Sequence, residues 1–364
     1  MRLAALDGWR GLCAMLVAVY HFNTATDFSF STFIRNSFLF VEFFFVLSGL
    51  VICHAYANRI HNVADWWAYI IKRTGRLWPL HIVLLLAMIP IAIAESVVAG
   101  GSEDGRFTIS AFIANIFLVH ALGLFETETW NFVSWSISVE FYTCILFGLV
   151  CVFSRPKLWL YALISLAGAL VVWQYSNLED TYSWALFRGI YSFFLGCCMY
   201  LLFIRVQERW GSPFKGGFAT LVELAALGSV VWFLIWGVNH SNMILAPCLF
   251  AMVVWVYAFE AGQVSTLLKT SLIQNLGLYS YSIYLIHGVL VTSVKGGLFA
   301  VEKLFGVSVL ADFEGIKIID FGSTIANLGA TAGFVVFLYI ISKYSYHHIE
   351  SPWRHRIAAW ASKS

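Results

Sequence analysis

The stretch LDGWRGLCAMLVAVYHF, residues 6–22, is apolar enough to enter a bilayer, yet it holds Arg10 and His21 eleven residues apart. At 100° per residue, eleven steps return a helix to within about 20° of its start, so both side chains share one face. At 1.5 Å per residue they lie about 16 Å apart along the axis, roughly half the hydrocarbon thickness. A guanidinium and an imidazole so placed are costly unless they face protein or water. The segment therefore reads as a span with one functional face.

The rest of the chain agrees. Its 364 residues are 60% hydrophobic and only 12% charged, with a mean hydropathy of +0.79. Soluble domains carry about 25% charge, so a soluble fold would lack the polar surface to cover itself. Apolar runs recur along nearly the whole length, the pattern of an all-α, polytopic membrane bundle in a single domain, 1–364. The net charge of +2 forms no basic patch, so no nucleic-acid partner is expected. Arg10 interrupts the would-be apolar core and no small-residue cleavage site follows, so the first segment is expected to be retained. The seven cysteines all fall in apolar runs without a C-x-x-C pair, which suits buried thiols better than a metal set or a disulfide framework.

Apolar segments lie near 10–23, 38–57, 76–98, 107–124, 131–153, 157–175, 184–204, 217–237, 243–260, 279–298 and 321–346. Charge decides which of them cross. Arg59, Lys72, Arg73 and Arg76 make the connection 58–76 cytoplasmic. If every later segment crossed, Arg155 and Lys157, then Arg205, Arg209 and Lys215, then Arg354, Arg356 and Lys363 would all fall outside. Treating 107–124, which holds Asn115 and His120, as re-entrant or interfacial repairs all three. The expectation is ten spans, both termini cytoplasmic, with external loops that carry Glu103, Asp104, Glu126, Glu128, Glu179 and Asp180.

Ionisable groups inside spans are functional candidates by default. Arg10 has snorkelling to headgroups as its ordinary alternative, and His21 a satisfied interfacial position. Glu140, deep in WSISVEFY with Ser136 four residues earlier on the same face, needs a His or Arg from another helix. Arg188 near an external end suits an anionic or sugar group, or a pairing with Glu140. Arg73 and Arg76 in KRTGRLWP either set topology or clamp phosphate, whose oxygens match the guanidinium fork. His287 lies in the interior half of its span, with Tyr284 on its face. Glu42 lies near an external end. Ser48 and Gly49 are small enough for close helix approach. Glu350 has Arg354 as its local partner.

In this order the residues resemble membrane acyltransferase family 3, the integral-membrane O-acyltransferases, in its form without a fused esterase-like domain. The pattern arginine, ten residues, histidine is met by Arg10 and His21. FFFVLSG at 43–49, R-x-x-R at Arg73 and Arg76, WSISVEFY at 135–142, RGIYSFFLG at 188–196, YSIYLIHG at 281–288 and ESPWR at 350–354 resemble the later motifs. The resemblance implies a multi-pass protein of a bacterial-type inner or plasma membrane. It would move an acyl group, commonly acetyl, from cytoplasmic acyl-CoA to a hydroxyl of a surface glycan, lipid-linked sugar or similar acceptor. Acyl-CoA (acetyl-CoA) is then a donor substrate and no cofactor is held permanently.

On that reading Arg73 and Arg76 hold the CoA phosphates and Arg10 meets the pyrophosphate or pantetheine. The arm threads one polar tunnel to His21, the general base, with a covalent acyl-histidine as the variant. Glu140 orients His21, supported by Ser136, while Arg188, Ser136 and His287 contact substrate. The competing reading is a secondary transporter of a small anion bound by Arg10, Arg188 and His21. That class usually carries inverted repeats and broken helices, and neither is evident in the sequence.

Overall fold

The computed structural model describes residues 3–99 and 105–361; Glu103, Asp104 and Lys363 lie outside the described residues. Long helices dominate: α1 (Ala4–Phe22), α2 (Phe40–Tyr56), α3 (Val63–Ala99), the short α4 (Ile109–Ile116), α5 (Trp135–Phe153), α6 (Leu158–Tyr175), α7 (Ala185–Trp210), α8 (Gly216–Trp232), α9 (Ala246–Tyr257), α10 (Gln263–Leu268), α11 (Ser271–Phe305), α12 (Thr324–Ser345) and α13 (Ser351–Ala361). Eight of the described helices are long and apolar enough to cross a membrane. That is two fewer than the expected ten: α1 has its hydropathy lowered by Asp7, Arg10 and His21, and Met243–Tyr257 is a shorter apolar stretch. Outward faces carry side chains such as Ile325, Val97 and Trp173, exposed by 85%, 78% and 74%. Apolar exposure on that scale belongs to a surface that meets lipid rather than water.

Two boundaries differ from the sequence reading. α3 begins at Val63, not 76, because Lys72, Arg73 and Arg76 break the apolar run without breaking the helix. Pro79 and Pro90 are carried inside it. α11 starts eight residues before the expected 279 and runs to Phe305. The one departure from an all-helical chain among the described residues is a hairpin, β1 (Leu310–Phe313) and β2 (Ile316–Ile319), with Leu310 opposite Ile319. Ile319 also bridges Thr24 and accepts from the Ala25 N–H at 2.8 Å, fastening the hairpin to the chain leaving α1.

Segment 107–124 does not cross. α4 has eight residues, about 12 Å of helix. Arg106 donates to the Trp130 carbonyl and to Thr292, so the connection leaves and returns at one end of the bundle. Part of its irregular backbone, around Leu118, His120 and Ala121, is buried against protein, where such backbone is tolerated at membrane depth. Asn115 donates to Thr129 at 2.9 Å, the Asn115 carbonyl accepts from His81 at 2.9 Å, and His120 meets Ser134 at 3.1 Å.

The functional face is built by two helix pairs. α1 and α11 run parallel in close contact: a methyl group at Gly11 would overlap the Gly277 backbone, and one at Gly277 would overlap Asp7. α2 and α7 approach likewise, with Gly49 against the Phe193 carbonyl and Gly196 against that of Val46. Only residues without a Cβ permit such spacing. Both described termini lie at the Arg10 end, where the Ala4 carbonyl accepts from Gln274 and Ile357 of α13 packs on Gly75.

Candidate active site

The α1–α11 register fixes the site at both ends. Near one end Arg10 donates through Nε to Ser280 Oγ (2.8 Å) and through Nη2 to the Gly277 carbonyl (2.9 Å), with Asp7 3.4 Å away. Near the other, His21 meets His287: Nδ1 and Nε2 are 3.2 Å apart and the rings stack at 26°. Arg10 therefore faces the bundle and does not snorkel.

Around Arg10 lies a cavity of ≈ 100 Å³ whose lining includes Arg73, Arg76, Ser48, Ser136, Glu140 and Tyr281. Its cations are not equivalent. Arg73 is buried and ion-paired to Glu140, which also accepts from Ser48 Oγ at 2.9 Å. Arg76 faces the same cavity, and among the described residues it makes no hydrogen bond or ion pair. A guanidinium without a partner, beside others already occupied, is the group left to bind an added anion.

Around His21 lies a second cavity, of ≈ 240 Å³, walled by Tyr20, Phe38, Phe132, Trp135 and Leu178 and bearing Glu128, Glu179 and Thr181. Nδ1 of His21 is 3.0 Å from the Val17 carbonyl, which accepts only, so Nδ1 carries the proton and Nε2 the lone pair. Glu128 accepts from Thr181 at 3.0 Å. Burial pushes its carboxyl above the ordinary value of 4.5, against the Thr181 hydrogen bond and the Arg106 charge.

Several expected partnerships are replaced. Glu140 does not orient His21: its Oε1 is taken by Arg73 and Ser48 in the first cavity. Arg188 pairs with Glu42, not Glu140, through Nε and Nη2 at 2.9 and 2.7 Å. It also donates to the Asp180 carbonyl, lies 4.5 Å from the Trp135 ring centre and stands in the wall of the His21 cavity, its charge committed to Glu42. Glu350 is buried and accepts from Ser282 at 3.0 Å, while Arg354 reaches the Tyr346 hydroxyl. Six cysteines are buried as expected, and Cys248 is exposed. The single tunnel is two cavities. Ser136 stands in the first, beside Glu140, and receives no His21 contact.

The family model described as an acyltransferase domain matches residues 3–345. The chain belongs to that acyltransferase family. A curated relative, protein 2 in the picA locus of Rhizobium radiobacter, is 35% identical over 88 residues, covering 24% of this chain and 44% of that protein. The chain therefore spans less than half the length of that relative. No solved structure matches it. In this family member, sequence reasoning brought out Arg10, Arg73, Arg76, Glu140, Ser136, His21, Arg188 and His287 as site residues, and the structure gathers them in or beside two adjoining cavities, with Arg188 in the wall of the second. It missed Val41, Tyr281, Ser280 and the lining roles of Glu128 and Glu179. The serine and tyrosine carried a usable signal, since both stand on the helix that holds His287.

Proposed function

We propose that this chain transfers an acyl group, in the first instance acetyl, from cytoplasmic acyl-CoA to an acceptor hydroxyl presented from the far side of the membrane. The observation that carries the reading is the abutment of an arginine-lined cavity and a histidine-lined cavity along the glycine-packed α1–α11 pair. The connections and helix ends at the Arg10 end carry Arg59, Lys72, Arg205, Arg209, Lys215, Arg354 and Arg356, which supports a cytoplasmic orientation for that end.

Arg76, which makes no hydrogen bond or ion pair among the described residues, takes CoA phosphate; Arg10 guides the pantetheine arm, and Arg73 holds Glu140 in the cavity wall. The acyl thioester is presented to the His21 cavity. Nε2 of His21 removes the acceptor hydroxyl proton, with Nδ1–H fixed on the Val17 carbonyl and His287 behind the ring. The hydroxyl oxygen adds to the thioester carbonyl, the C–S bond breaks, and the imidazolium proton passes to the departing CoA thiolate. General-base assistance of this kind is worth about two to four orders of magnitude in rate. Aromatic walls with two carboxylates, and an Arg188 already committed to Glu42, suit a neutral polyhydroxylated acceptor such as a glycan or lipid-linked sugar better than an anion.

Membranes containing the protein, given acetyl-labelled acetyl-CoA, should pass label to an extractable glycan or lipid, and His21→Ala should abolish the transfer while acyl-CoA still binds. Label retained by His21→Ala at the wild-type rate refutes the assignment of the base.

A further inference from the structure

Of the residues that line either cavity, two line both: Val41 of α2 and Tyr284 of α11. These two residues are the wall that the cavities share, and an acyl group carried from the arginine cavity to His21 meets them first. Tyr284 is not a loose flap. Its hydroxyl accepts from Ser136 at 2.8 Å and donates to the Val133 carbonyl at 3.2 Å, pinning the ring to the start of α5. The ring itself stands edge-on to Phe44 and His287, with centroids 5.7 and 5.5 Å away. Val41 is 5% exposed and branches at Cβ, so it too has little freedom. A wall held from three directions has a fixed aperture, and packed interiors register a change of one methylene.

Resting on the acyltransferase reading above, we propose that Val41 and Tyr284 form a gauge that limits the length of the acyl chain this enzyme transfers, favouring short groups such as acetyl over long ones. Tyr284 and Val41 act by size; neither exchanges a proton with the reacting atoms.

The test is a chain-length profile with purified protein in nanodiscs, supplied with acetyl-, butyryl- and octanoyl-CoA and an acceptor extract. Val41→Ala should raise the octanoyl-to-acetyl ratio of kcat/KM by about 10- to 200-fold, the range in which a site discriminates one methylene. Val41→Phe should lower the butyryl-to-acetyl ratio, and Tyr284→Phe, which frees the ring from Ser136 and Val133, should raise the octanoyl-to-acetyl ratio. Binding of a non-hydrolysable acetyl-CoA analogue reports whether each variant retains the arginine cavity. Val41→Ala and Val41→Phe that transfer acetyl with the wild-type length profile overturn the gauge and leave the acyltransferase reading standing. Wild-type protein that transfers no acyl group from any of the three donors overturns both.

Discussion

Arg73 and Arg76 lie one turn apart on α3 and face the same cavity, and their substitution should fail in different ways. Arg76 is half-buried and makes no hydrogen bond or ion pair among the described residues, although its charge acts on the buried Glu350. Arg76→Ala should therefore cost less stability than Arg73→Ala, which breaks a contact ion pair. What it loses is a charge-assisted hydrogen bond to the donor phosphate, worth about 1.5–3 kcal/mol. At 1.4 kcal/mol per tenfold, Kd for acyl-CoA should rise roughly 10- to 150-fold. KM should follow with kcat little changed, because the contact is equal in ground and transition states. Arg73→Ala instead removes the partner of Glu140, whose side chain is 21% exposed against 8% for Arg73. Breaking a buried pair from one side costs about 3–5 kcal/mol, so thermal unfolding should move sharply, and Arg73→Ala/Glu140→Gln should recover much of the loss. Titration of acyl-CoA into detergent-purified protein by calorimetry, beside thermal unfolding of the same samples, separates the two. If Arg76→Ala unfolds early with unchanged Kd, or Arg73→Ala is the specific binding mutant, the division between free and committed guanidinium is wrong.

The buried pair Arg188–Glu42, with side chains 1% and 0% exposed, should behave as a unit: either Arg188→Met or Glu42→Gln alone should cost about 3–5 kcal/mol, and the double variant much less than their sum, read from thermal unfolding as a double-mutant cycle. Glu128 binds its proton more tightly folded than unfolded, so it favours the fold below pH 4.5 and costs stability as pH rises through its raised value. Glu128→Gln should accordingly raise Tm near neutral pH, with the gain vanishing in acid; a constant gain across the range would contradict the burial argument. Single cysteines placed at His61→Cys and Thr127→Cys, on a Cys248→Ser background, should label from opposite sides of sealed vesicles. Labelling from the same side would mean that 107–124 crosses after all.

How far the sequence could lead depended on whether a feature is periodic or tertiary. The common face of Arg10 and His21 follows from helix geometry alone, and the structure keeps it. Glu140 announced its need for a cationic partner by depth, and Arg73 supplies it across 67 residues. Charge bias across the loops singled out 107–124, and α4 proves too short to span. The partner of Arg188 was not legible: Glu42 is 146 residues away, and only the α2–α7 glycine contact brings the two to one depth. The first 13 residues of α3 were hidden because charges that line a cavity look, in a sequence, like charges in a loop. The division of the passage at Val41 and Tyr284 was equally hidden, since neither residue is unusual in an apolar run.

Gly8 and Gly11 seat α1 against Leu268 and Gly277 near its start, and at its other extremity Phe22 stacks on Phe334 while Ala25 and Asn23 bond to Ile319. Clamped at both extremities, this helix is a strut whose length holds the guanidinium and the imidazole about 16 Å apart. The spacing between the two chemistries is thus written into one rigid element rather than left to loops.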